Sequence, residues 1–279
     1  MFRPILEADN YLVAHDRVSI RIPGRVHPSD AWLIVDGKHE GTCQRQVWYR
    51  YQGSPQTNER SAEVLRAMDM GNLMEEQEAR YLKGAGKLIA QRQKVSKPHP
   101  IDPKVIVTGE IDFVYRTDPV VIGEFKTSHG PYFKMNVLDD ETGYPYLSHL
   151  FQVMLYLDLF GNAREGIITY LDTGTKYRRE HRVLLESDHP VVNGMLDPRI
   201  SLNSLYENFL VTLQSVKTGA LPAASYQPVF DPERADDMLQ SKRISKTQYK
   251  KWVQGLPVGD WQCQECPFKE LCVGNAKTL

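Results

Sequence analysis

No stretch of this sequence approaches the ~20 consecutive apolar residues that span a bilayer. The first twenty residues also lack the basic-then-apolar order of an export signal. The expectation is a cytoplasmic protein with no membrane partner, in a reducing compartment where structural disulfides are rare. Net positive charge is missing too. Lys and Arg number 34 against 35 Asp and Glu, a formal charge of −1, so any polyanionic ligand must be met by local patches rather than a global field. No GxxxxGK[ST] phosphate loop occurs, since Gly84-Ala85-Gly86-Lys87 is followed by Leu88. That excludes an ATPase or helicase of the P-loop kind. Repeats and low-complexity tracts are absent, and cysteine is scarce, with four in 279 residues.

What is present is ordinary globular material, 41% hydrophobic and 25% charged, in a chain long enough to bury a sizeable core. The first forty residues read as irregular or short strands, broken by Pro23, Gly24, Pro28 and Gly37. Residues 58 to about 82 read as a helix, ended by Gly84 and Gly86, and 87–95 as a strand. Two strands follow at 105–115 and 120–126 across Thr117-Asp118-Pro119. A Gly-, Pro- and Asp-rich loop is expected over 128–145, then a buried helix ending at Gly161. A hairpin around Gly174 comes next, and the remainder reads as mostly helical. The order predicts an α/β core with helical additions.

Asp112, Glu124 and Lys126 are the first candidates for chemistry. Side chains two apart on a strand share a face, so Glu124 and Lys126 point the same way. A three-residue turn at 117–119 sets 112 opposite 124, and like charges so placed are destabilising without compensation. A hard divalent cation, Mg²⁺ or Mn²⁺, supplies it. The competing reading is the solvated face of an amphipathic hairpin. Two features weigh against that reading. Gly109 allows close backbone approach, and the apolar run Val120-Val121-Ile122-Gly123 ahead of Glu124 is that of a buried strand.

GEIDFV followed by GEFK resembles the core of the PD-(D/E)XK nucleases, and most of all their RecB-like branch. The resemblance implies a restriction-endonuclease-like core, a central mixed β-sheet flanked by helices, at about residues 60–186 of a single nuclease domain covering 1–279. It implies Asp112 and Glu124 as metal ligands, the carbonyl of Phe125 as a backbone ligand and Lys126 as catalytic. Ile111 stands where the literal motif has proline. The branch's Gln-x-x-x-Tyr matches Gln152 and Tyr156, whose spacing places both on one helical face with Leu150, Met154 and Leu157 opposite. Where the family has Gly-x-x-x-His, this chain reads Gly71-Asn72-Leu73-Met74-Glu75. Glu75 then replaces the histidine as a third ligand, or is one of several solvated glutamates.

Three of the four cysteines form Cys263-x-x-Cys266-x5-Cys272, and the fourth is Cys43. By spacing, four thiolates suit either zinc or a [4Fe–4S] cluster. A lone N-terminal cysteine, the nuclease core and a closing trio resemble the iron–sulfur nucleases, among them AddB-type nuclease domains and CRISPR-associated single-strand exonucleases. Arg45, Tyr49 and Cys266-Pro267-Phe268 belong to that pattern. The resemblance implies a C-terminal Fe–S lobe, 261–279, completed by Cys43, and makes zinc the lesser choice. Closing so long a loop stabilises most in principle.

The stretch 241–252, with Lys242, Arg243, Lys246, Lys250 and Lys251 beside Tyr249 and Trp252, is a candidate for phosphate contact and base stacking. A solvated helix face is the plainer reading. Arg178, Arg179 and Arg182 form a second, weaker candidate. The expectation is a metal-dependent DNA exonuclease on single strands or duplex ends. It would work alone, as a homo-oligomer, or with a helicase, recombinase or CRISPR integration complex. The alternative is a non-catalytic DNA-binding scaffold in recombination, repair or CRISPR adaptation.

Overall fold

The computed structural model describes residues 4–128, 130–139, 141–241, 244–256 and 258–276. They group into two compact units: one of 1–21, 43–65 and 218–279, the other of 22–42 and 66–217.

The second unit is built on an eight-stranded mixed sheet. Its first strand is β1 (Arg25–Val26), and β2 (Trp32–Val35) with β3 (Lys38–Gly41) forms a separate hairpin. The long strands are β4 (Leu88–Pro98), β5 (Ile106–Tyr115) and β6 (Val121–Ser128). β7 (Glu165–Asp172), β8 (Arg178–Glu186), β9 (His189–Val192) and β10 (Met195–Leu196) complete the set. The order is β1-β5-β6-β7-β8-β9-β10, with β4 on the other edge of β5. β6 and β7 run parallel, so the chain must cross over between them.

Helices α1 (Pro4–His15), α2 (Gln44–Tyr51) and α3 (Ala62–Gly84) precede the long strands, apart from β1 to β3. α4 (Pro131–Asn136) and α5 (Leu147–Phe160) lie in the crossover, and α6 (Leu202–Thr218) follows the sheet. α7 (Pro232–Gln240), α8 (Lys246–Val253), α9 (Trp261–Gln264) and α10 (Lys269–Ala276) end the chain. None of the described helices is long and apolar enough to cross a membrane.

The crossover helix α5 anchors the core of the second unit. Leu150, Phe151, Met154 and Leu155 are fully buried, and each contributes about 1.5–3 kcal/mol over an exposed side chain. The fit to the sheet is close enough to demand glycine at 166, where an added Cβ would stand 2.4 Å from Val153 Cγ1. Gly161, at φ 72°, ends the helix as its sequence suggests.

Periodicity located α3, β4 to β8 and α5. It did not locate α1, which falls where irregular chain was expected; its exposed Ile5, Leu6 and Tyr11 mark no buried stripe. α2 and α4 are also new, the latter inside the expected loop. β9 and β10 lie in a region that reads as helical. Their turn is Asn193-Gly194, both at positive φ, the local signal of a two-residue hairpin.

Candidate functional site

Asp112, Glu124, Phe125 and Lys126 meet where two strands part company. β5 and β6 pair as Tyr115↔Val121, Val114↔Ile122 and Phe113↔Gly123, and the next step of that register sets Asp112 opposite Glu124. The ladder stops there. Asp112 instead turns its carboxylate across the gap, and its Oδ2 accepts the Phe125 N–H at 2.8 Å. Beyond the gap β5 pairs with β1, at Ile106 and Val107. Gly123 permits the arrangement, since a Cβ there would lie 2.5 Å from the hydroxyl of Tyr115.

The Glu124 side chain is 1% exposed and ion-pairs with Lys126, while its Oε2 has no hydrogen-bond partner. Burial, with opposition from Lys126, pushes its carboxyl above the ordinary value. Burial and then the charge of Glu124 push Asp112 up to about 8. For Lys126, burial works against the ammonium, but the Glu124 and Asp112 carboxylates outweigh it and hold its pKa raised. Glu75, on α3, is 14% exposed, and its charge acts on all three groups. Three carboxylates in mutual reach of one ammonium leave an excess of negative charge in a poorly solvated place.

Among the described residues, no three His, Cys, Asp or Glu side chains are grouped to hold a metal ion in this arrangement. The cations present explain the spread. Lys126 takes Glu124, and Arg92 Nε takes Glu75 Oε1 at 3.1 Å. Arg92 was not singled out from the sequence. β4 pairs Gln91↔Phe113 and Gln93↔Ile111, so Arg92 faces Asp112 in register, with its backbone at φ 52°. A left-handed arginine in mid-strand is strained.

Gln152 and Tyr156 lie on α5, and Gln152 Nε2 donates to the Tyr156 hydroxyl at 3.0 Å. Tyr156 is 4% exposed, which holds it in the core rather than in a groove, and burial then Glu124 raise its pKa. Leu150, Met154 and Leu157 are buried as their spacing predicts. Gly109 does allow a close approach, but by this ring: a Cβ would stand 2.6 Å from Tyr156 Cε1.

The four cysteines are thiols in the first unit. Cys43 caps the start of α2, Cys263 lies in α9, Cys266 follows it, and Cys272 lies in α10. All four line one small cavity together with Arg45 and Tyr49. Asn58 Nδ2 holds the loop in place through the carbonyls of Gln264 and Cys266, at 3.3 and 2.9 Å. Arg45 donates to Cys272 Sγ at 3.3 Å, and the Tyr49 ring packs on Phe268 at 5.3 Å. Burial and then the Cys43 thiolate charge raise the Cys263 pKa; Cys266, mainly through burial, is pushed up to about 11. Burial keeps these two thiols protonated, and a metal cation binding among them would displace the protons.

The basic stretch is changed in character by the structure. Tyr249 and Trp252 pack on a small core around Phe230 and Met238, and Trp252 Nε1 donates to Phe230 O at 2.9 Å. Those rings are used to hold α8 and do not stand free to stack on bases. Lys246, Lys250 and Lys251 are exposed; Lys242 and Arg243 lie outside the described residues. Arg178 pairs with Glu78 and Arg182 with Glu165, both at 2.7 Å.

The raised carboxyl of Asp112 fixes a pH dependence for metal-free protein. The folded state keeps a proton that the unfolded chain, at 3.8, releases, so this group's contribution to stability falls as pH rises from about 4 to about 8. Asp112→Asn removes it. In EDTA the melting temperature of the variant is expected to gain on wild type by several degrees across that window. A difference independent of pH would refute the shift.

The model of the PD-(D/E)XK nuclease superfamily matches residues 27–273. Among solved structures, that of SSO0001 is similar over 97% of this chain and 96% of that one, with 15% identity and a TM-score of 0.52. An alkaline exonuclease (LHK-Exo) from Laribacter hongkongensis is similar over 85% of this chain and 97% of that one, with 13% identity and a TM-score of 0.41. No curated protein matches the sequence.

Proposed function

The chain belongs to the PD-(D/E)XK nuclease superfamily, and from that premise we propose that it is a metal-dependent DNA nuclease acting on single strands or DNA ends. The observation that carries this is the buried Glu124 carboxylate, with Oε2 unpartnered, beside a half-buried Asp112 whose proton is held to about pH 8. Carboxylates so placed cost stability unless a cation joins them.

Asp112, Glu124, the Phe125 carbonyl and Glu75 are the ligands in this reading, Glu75 becoming available once it leaves Arg92. Their all-oxygen donor set fits Mg²⁺ or Mn²⁺. When bound, the ion polarises the scissile phosphate and makes a water more acidic. Lys126 would orient the attacking water and offset the negative charge that builds on the non-bridging phosphate oxygens. Gln152 and Tyr156 brace the back of the site, and the Tyr156 ring against Gly109 fixes the height of β5. The RecB-like assignment is supported by Gln152-x-x-x-Tyr156 one helix after GEFK.

The four cysteines hold a [4Fe–4S] cluster in this reading, a cross-link between α2 and the α9–α10 segment. Four irons spread their thiolates more widely than one zinc ion does. The four thiols surround one cavity. The chain 1–279 acts as one nuclease domain, with its catalytic core at about 60–186.

The test is cleavage of end-labelled single- and double-stranded DNA in Mn²⁺ and in EDTA. The expected result is metal-dependent cleavage, with a ladder of short products from the labelled end that marks exonuclease action. No cleavage by folded, cluster-bearing protein would move the reading to a DNA-binding scaffold.

A further inference from the structure

His149 lies on the same face of α5 as Gln152 and Tyr156, at positions i, i+3 and i+7. The rest of that helix is strongly apolar: Leu150, Phe151, Val153, Met154 and Leu155 are at most 1% exposed. A polar stripe in such a helix costs stability unless each member has a partner or a task. Tyr156 feels the charges of Glu124 and Asp112, and the His149 ring feels that of Lys126. The stripe therefore runs along the acidic and basic residues of β6.

The hydrogen bonds around His149 fix its tautomer. Tyr146 N–H donates to the Tyr170 hydroxyl oxygen at 3.1 Å. Tyr170 is fully buried, and its hydroxyl lies 2.8 Å from His149 Nδ1. A buried hydroxyl that already accepts from a backbone N–H must place its own proton on an acceptor. Nδ1 is the acceptor in place, so the imidazole proton sits on Nε2. That N–H has no hydrogen-bond partner among the described residues. Burial, then Lys126, hold the ring neutral far below its ordinary range.

We propose that His149 is a phosphate-binding residue of this site, donating its Nε2–H to a non-bridging oxygen of the scissile phosphate beside Lys126. A neutral donor there adds a hydrogen bond without repelling the ammonium, which an imidazolium would do. It acts where charge develops in the transition state. The inference rests on the nuclease reading for the identity of the phosphate, but not for the tautomer.

Two measurements test it together. In ¹⁵N-histidine NMR of the whole protein, His149 is expected to show the neutral Nε2–H form from pH 6 to 8. Its Nε2 signal should shift when single-stranded oligonucleotide is added in Ca²⁺. An Nδ1–H tautomer, or a signal unmoved by saturating DNA, overturns the proposal whether or not the protein cleaves.

In single-turnover cleavage with Mn²⁺, His149→Phe is expected to lower the rate on the order of 10²-fold. His149→Gln, whose amide reaches the Nε2 position, restores the rate to within about tenfold of wild type by the same reasoning. His149→Asn, whose amide reaches only Nδ1, does not. A merely structural role would treat Gln and Asn alike. Equal rates for these two polar variants, or a His149→Phe rate within about twofold of wild type, overturn the proposal. Wild type that binds DNA and shifts the His149 signal without cleaving would instead sink the nuclease reading alone.

Discussion

Lys126→Ala is expected to reduce DNA cleavage by a factor on the order of 10³ or more, with affinity for DNA changed far less. The reason is placement. Lys126 is the cation that meets Glu124, and it shares a strand face with it at the point where β5 and β6 stop pairing. Its ammonium is kept protonated by Glu124 and Asp112 despite burial, so it stays charged at neutral pH. In the proposed mechanism, removing it deletes a charge that acts most strongly in the transition state.

The same substitution carries a stability signature. Without Lys126 the Glu124 carboxylate, 1% exposed, has no cation paired with it among the described residues. Breaking a buried pair in this way costs about 3–5 kcal/mol, reduced here because Glu124 is already inclined to take a proton. In EDTA the variant should melt well below wild type, and Mn²⁺ should recover most of the difference. Retention of more than about a tenth of wild-type cleavage would remove Lys126 from the chemistry, since catalytic general acids, bases and charge donors contribute at least 10²-fold. A melting deficit indifferent to Mn²⁺ would place the metal elsewhere.

If the four cysteines hold the proposed [4Fe–4S] cluster, Cys43→Ala is expected to abolish a brown colour and absorbance near about 400 nm, bands that a d¹⁰ zinc ion does not give. It should also lower the melting temperature by ten degrees or so, because a few kcal/mol is a large part of the stability of one compact unit. Cys43 precedes α2, and the other three thiols sit more than two hundred residues later on α9, α10 and the turn between them. The two segments are also held by Arg45 on Cys272 Sγ, the hydrogen bonds of Asn58, the Thr57 and Asn58 N–H groups on Pro267 O, and the Tyr49–Phe268 contact. Undiminished cluster absorbance in this variant would end the four-cysteine assignment. Colourless wild type holding one equivalent of zinc would replace iron with zinc.

Two kinds of information met in this protein. The sequence alone determined the register that carries β5 and β6 to Phe113↔Gly123, one step short of Asp112 and Glu124, because the strand period is two and a turn at 117–119 sets it. It also determined that Leu150, Met154 and Leu157 turn away from Gln152 and Tyr156, since helical spacing leaves no other choice. Such relations depend on a local repeat and survive without knowledge of the fold.

What neighbours across space impose could only be decided by the tertiary structure. Arg92 faces Asp112 because of a pairing between β4 and β5. Gly109 is glycine because of a tyrosine forty-seven positions away. Tyr249 and Trp252, which look like a stacking surface in the sequence, serve a small core instead. His149 gains its fixed tautomer from Tyr170, on a strand that no local pattern brings to it. A period reports which residues share a face, but a partner's identity depends on packing among segments distant in the chain, and no local repeat encodes that.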